Sequence, residues 1–150
     1  MEGENNVFVI TKGSVKFSFV DGAKDMLQLS GTLPISQFFK PNDRKVTFLM
    51  GELKKEFTLD SKGKAADGKS RLKLNGKMKK GVFKATPVNF TLIVKGEPLL
   101  KKLEPFGFTS SDTNVASVST SVRVLVDQLV YQTRKTFQYK ATAGKSGSGR

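Results

Sequence analysis

The sequence contains no cysteine, no histidine and no tryptophan, and only two tyrosines. Without cysteine there is no disulfide and no thiol nucleophile; without histidine there is no imidazole base. The two absences together remove Cys/His zinc sites and the Ser-His-Asp triad. So few tyrosines and no tryptophan leave little surface for stacking sugars, which disfavours a glycosidase cleft or a carbohydrate platform. No run approaches the roughly 20 apolar residues that cross a bilayer, so no membrane span is expected. The carboxylates available for chemistry, Asp21 with Asp25, Glu52 with Glu56, and Asp43, all sit in turn-like contexts as turn formers or solvated charges. No calcium-loop spacing occurs among them. The expectation is therefore a protein that is not an enzyme and holds no metal and no cofactor.

What the chain does have is period-two alternation. At 150 residues, 37% hydrophobic and 26% charged, it is long enough for one soluble globular domain with a real core. Val15, Phe17 and Phe19 alternate with Ser14, Lys16 and Ser18, as in a half-buried strand. Val7 to Ile10 is a short apolar run before it, with a bend expected at Lys12-Gly13. Leu27, Leu29 and Leu33 repeat the alternation up to Pro34. Val46, Phe48 and Met50 lead to a turn at Gly51-Glu52 and a return through Phe57 and Leu59, the clearest hairpin in the sequence. Leu72 and Leu74, Val82 to Ala85, Phe90 to Val94, Val115 to Leu125, and Tyr131 to Ala141 read as further strands, with a turn at Asp127-Gln128. Short helical turns are expected at Ile35 to Lys40, burying Phe38 and Phe39, and at Glu97 to Leu103, where leucines recur three and four apart before Pro105.

This pattern predicts an all-β fold: a β-sandwich of about eight to ten short antiparallel strands with one or two short helical turns. A pseudo-duplication is also legible. Leu29 to Phe39 matches Leu92 to Leu103 in outline, Val46 to Leu53 matches Val122 to Leu129, and Phe57 to Gly63 matches Phe137 to Gly144. The expected domains are a tail and first edge segment over 1–12, one sandwich domain over 13–143, and a flexible Gly/Ser tail over 144–150. Met1 to Asn6 lacks the basic and apolar regions of a signal peptide.

The net charge of +13 is concentrated in two segments. From Lys62 to Lys84 nine basic residues face one acid, Asp67, and from Arg134 to Arg150 five basic residues face none. Such clusters attract nucleic acid, acidic polysaccharide, anionic lipid or an acidic protein; lysines on exposed strand faces also keep them solvated and unpaired. If the duplication is real, the two return strands place the clusters at equivalent positions.

Gly63 to Ser70 matches the G-x-x-x-x-G-K-[ST] phosphate loop letter for letter. That loop works at the start of a helix, and the alternating, glycine-broken text after Ser70 predicts none. Phe17, Phe19, Phe48, Phe57, Phe90 and Phe137 lie on the apolar sides of strands and belong to the core. Only Phe83, Tyr131 and Tyr139 stand beside basic residues as base-stacking candidates.

The strings Phe57-Thr-Leu-Asp-Ser-Lys-Gly-Lys-Ala, Arg71-Leu-Lys-Leu-Asn-Gly, Phe90-Thr-Leu-Ile-Val-Lys-Gly and Tyr139-Lys-Ala-Thr-Ala-Gly-Lys-Ser-Gly carry a resemblance. Over residues 13 to 147 the chain resembles poorly characterised β-rich modules of large secreted proteins from environmental bacteria. The resemblance implies a non-catalytic extracellular part with an adhesive, scaffolding or spacer role, and it carries over no functional residue.

The leading expectation is a structural or interaction module with a protein partner, or with self-association through strand edges. The alternative is a polyanion-binding domain for nucleic-acid backbone or acidic polysaccharide. Its candidate contacts are Lys69, Arg71, Lys73, Lys77, Lys79, Lys80 and Lys84, helped by Arg134, Lys135 and Lys140. Arg71, Lys73 and Lys77 are expected to share the face opposite Leu72 and Leu74.

Overall fold

Alternation along the chain becomes a wall with one apolar side, and in the computed structural model that wall closes almost completely on itself. The structure describes residues 6–35, 39–84, 88–127 and 129–150. Phe38, Ala85 and Gln128, which the sequence placed in a helical turn, a strand and a turn, lie outside the described residues, as does Met1 to Asn5 of the expected tail.

Among the described residues thirteen strands are formed: β1 (Asn6–Val7), β2 (Val9–Ser18), β3 (Met26–Leu33), β4 (Lys45–Met50), β5 (Leu53–Thr58), β6 (Lys64–Asp67), β7 (Ser70–Asn75), β8 (Met78–Lys79), β9 (Val82–Phe83), β10 (Val88–Lys95), β11 (Thr113–Val126), β12 (Leu129–Thr142) and β13 (Ser146–Gly149). One helical turn, α1 (Leu100–Leu103), runs into a 3-10 turn over Glu104–Phe106, and a second 3-10 turn spans Gly22–Lys24. The fold is all-β, as the alternation requires.

The two layers expected of a sandwich are opposite walls of one continuous sheet. Its strand order is β5-β4-β11-β12-β13-β2-β3-β10-β7-β6, with β1 added in parallel to β12; β8 and β9 form a separate hairpin. The path curls until its end strands β5 and β6 face each other, giving a near-barrel. Phe8, Phe17, Leu29, Phe57, Phe108 and Phe137 fill the interior, each fully buried side chain of this size contributing about 1.5–3 kcal/mol relative to exposure.

The duplication proves to be topological. Taking β2-β3-β4-β5-β6 as one half and β7-β10-β11-β12-β13 as the other, the second strands pair with each other, and so do the third strands. The first strand of each half pairs with the fifth of the other. The registers agree: Leu29 lies opposite Leu92, and Phe48 opposite Val124 with Val46 and Met50 symmetric about it. One equivalence is broken. β12 pairs with β13, whereas β5 and β6 share no ladder and leave a seam.

Several local expectations are corrected. Lys12-Gly13 is no bend between strands but follows a β-bulge at Ile10/Lys12 within the single strand β2. The Gly/Ser stretch after 143 is not a free tail: Ser146–Gly149 is inserted between β12 and β2. Its glycines point inward, where a Cβ at Gly147 would collide with the Tyr139 hydroxyl and one at Gly149 would press on Val15. Its serines point outward. The composition that reads as a linker is thus a strand with one face reduced to hydrogen. Phe19 is half-buried rather than core, while the other five phenylalanines assigned to the core are buried. Lys77 falls beyond the end of β7, so only Arg71 and Lys73 stand opposite Leu72 and Leu74.

Candidate polyanion-binding face

The ten candidate cations do not form one stripe. Arg71 and Lys73 are exposed on β7, and Lys69 lies in the β6–β7 turn with its stem against Gly96. Lys77, Lys79, Lys80 and Lys84 belong to the β8–β9 hairpin region, which is tied to the barrel by a bridge between Phe83 and Phe39. Arg134 and Lys140 point outward from β12, whereas Lys135 shares the inward parity of Phe137 and holds its ammonium 5.5 Å from that ring. The stacking candidates are lost: Phe83, Tyr131 and Tyr139 are all buried. Gly63 to Ser70 forms the β6–β7 hairpin rather than a helix start, so the phosphate-loop match has no phosphate-loop geometry.

The sheet instead assembles cations that are far apart in sequence. One cross-strand row on the outer surface runs Lys64, Lys73, Thr91, Ser30, Lys12 from β6 to β2. A second runs Lys95, Met26, Lys16, Ser148, Lys140 from β10 to β12. Between them lie Arg71, Ile93, Gln28 and Ser14, and past the end of β13 the backbone of Arg150 bonds that of Gln138. Across the seven strands from β12 to β6, the described outward positions carry lysine, arginine and neutral side chains and no carboxylate. Lys64 and Lys73 oppose each other directly, and the charge of Asp60 acts on Lys64.

Several of the described acids lie elsewhere and have structural partners. Asp127 pairs with Arg44 at 2.6 Å, and Glu56 with Lys54 at 3.2 Å. Asp60 accepts from the backbone N–H groups of Lys64 and Lys62, which hold its carboxyl below the ordinary range and shape the entry to β6. At the seam, Lys55 on β5 meets Glu97 at 2.9 Å and Asp67 on β6 at 3.2 Å, and Lys102 meets Glu97 at 3.0 Å. Burial pulls the Lys55 ammonium down, but its bonds to Glu97 and Asp67 outweigh this and leave it above its usual value. Burial likewise pushes Glu97 up, and Lys55 and Lys102 more than reverse it.

Sequence reasoning missed two further groups. Asp25, read as a turn carboxylate, is 2% exposed and accepts from the N–H of Ser18 at 2.7 Å and of Leu99 at 2.9 Å, clasping β2 to the segment before α1. Lys12, Lys16 and Lys95 join the cationic face from outside both basic segments, with the polar positions of the alternation as their only signal, while Lys64 and Arg150 lie within those segments and were counted but not singled out. Among the described residues no group of three potential metal-ligating side chains occurs, and no helix is long and apolar enough to cross a membrane. The chain matches no family model and shows no significant similarity to a curated protein.

Proposed function

We propose that this protein is a binding module rather than an enzyme, and that its outward cationic face engages an anionic polymer. The carrying observation is the pair of cross-strand rows that unite the two basic segments on one surface without an outward acid. Most of these cations are lysines, point charges suited to backbone contacts that are salt-sensitive and indifferent to sequence. A scaffold role through strand edges has less support, because the end strands β5 and β6 face each other across the seam.

The test is heparin affinity at about 50 and 200 mM salt, where counterion release makes binding fall steeply. Reversal of Lys12, Lys16, Arg71 and Lys73 to Glu is expected to lower affinity at least about 100-fold. Reversal of the exposed Lys40, Lys45, Lys62 and Lys101, which changes net charge equally but lies off this face, is expected to stay within about threefold. Equal losses in both variants would show that net charge alone acts and would overturn the reading.

A further inference from the structure

The outward face is not uniform. Two adjoining hollows, of about 480 and 410 Å³, lie over β13 and its neighbours and share Ser14 and Arg150 in their linings. Lys16 and Lys140 border the first, Lys12 and Lys135 the second, and no carboxylate lines either. The register explains the shape. Lys16 and Lys140 stand one strand to each side of Ser148, so they are separated by two strand spacings, about 10 Å. Down the strand, outward positions recur every two residues, about 7 Å, bringing first the Lys16/Lys140 level and then Arg150. Beyond Arg150, where β13 has ended, come Lys12 and Lys135. At the other end a third hollow, of about 400 Å³, continues past Lys140 with Thr113, Thr142 and Ser146. Asp112 lies at that end and is held by the N–H of Ala143 at 2.8 Å.

Resting on the polyanion reading above, we propose that this trough binds a linear acidic polysaccharide laid along β13. Its carboxylate or sulfate groups sit between Lys16, Lys140 and Arg150, and its hydroxyls meet Ser14, Gln138 and Ser148. Three observations select this occupant. The trough is two strand spacings wide, which admits a single extended chain and not a double helix. No aromatic side chain lines any of the three hollows, so single-stranded nucleic acid finds no stacking platform there. Beside Val15 and Val115, the neutral lining offers the hydroxyls of Ser14 and Ser148 and the amide of Gln138, which donate to and accept from sugar hydroxyls.

The test is fluorescence anisotropy of the whole chain with a labelled heparin oligosaccharide and with an oligothymidylate of equal charge. Lys16→Glu/Lys140→Glu is expected to weaken heparin oligosaccharide binding at least about tenfold more than Lys64→Glu/Lys73→Glu, which has identical net charge and lies on the same cationic face but outside the trough. Lys16→Gln/Lys140→Gln, which introduces no new charge, is expected to weaken it by an intermediate factor with an unchanged melting temperature. Equal loss in the two reversed pairs overturns the trough while leaving the broad cationic face standing. Oligothymidylate bound as tightly as heparin overturns the polysaccharide. Failure of the unaltered chain to bind heparin even at low salt overturns the trough and the parent reading together.

Discussion

A single methyl group placed at Gly147 tests whether the Gly/Ser segment is a strand of the barrel. An ideal Cβ there falls on the Tyr139 hydroxyl and 3.0 Å from the Phe19 ring. Tyr139 has nowhere to retreat: it is 0% exposed, packs edge-on against Phe17 and Phe108 at 6.0 and 5.0 Å, and donates to the Thr109 carbonyl at 2.6 Å. Overpacking of this kind costs about 1–3 kcal/mol. For a chain of this length each kcal/mol moves the melting point by about 2–4 °C, so Gly147→Ala is expected to lower it by roughly 2–12 °C. Tyr139→Phe alone forfeits the bond to Thr109, about 1 kcal/mol, but vacates the space the methyl needs. The double variant is therefore expected to be more stable than the sum of the single losses, with a coupling of at least about 0.5 kcal/mol. Thermal unfolding followed by circular dichroism reads all three. An unchanged or raised melting point in Gly147→Ala, the usual result of replacing glycine in an unstructured segment, would refute the placement of β13.

Other outcomes follow from the buried polar groups and the sheet edges. Tyr139 is pushed up to about 12 by burial and by the charge of Asp25. Its neutral form is thus favoured by folding, and the associated stability is present below the ordinary tyrosine pKa and lost as pH rises through about 12; Tyr139→Phe should flatten alkaline unfolding over that window. Glu97 is held below its ordinary value, so its contribution is present above the usual glutamate range and lost as pH falls through the folded pKa; Lys55→Met should weaken this acid dependence in a pH series of melts. Asp25→Ala removes an acceptor from two backbone N–H groups and is expected to cost at least about 3 kcal/mol, with faster amide exchange at Ser18 and Leu99. Removal of residues 144–150 uncovers the facing edges of β12 and β2 and should produce concentration-dependent association in sedimentation.

Alternation sufficed for most strands because half-buried walls write themselves at period two: β2, β4, β5, β7 and β10 carry their inward residues where the pattern puts them. The weak match of Phe57–Gly63 to Phe137–Gly144 was a sound trace of equivalence, since it aligns β5 with β12 and leads into β6 and β13. What escaped was everything set by pairing across the sheet. Ser146–Gly149 has no apolar side chain to mark a face, because its inward partners Tyr139 and Val15 supply all the bulk. Counting charge along the chain found Lys77, Lys79 and Lys80, neighbours in sequence that leave the barrel on a separate hairpin. It passed over Lys12 and Lys16, which join one row with Lys73 and another with Lys140 only once four and three strands, respectively, are in register.

The position of β13 also orders events during synthesis. It joins β5-β4-β11-β12 to β2-β3-β10-β7-β6, yet among the described strands it is the last to be made. While the chain is still growing, the two partial sheets carry the facing edges of β12 and β2 open, each a template for unintended pairing. Where β1 does not already meet β12, the junction waits on four residues made after β12, a non-local step of the kind that slows folding. In those four residues serine and glycine offer little apolar surface to drive premature collapse, so the strand that completes the barrel is also the one least prone to stick elsewhere first.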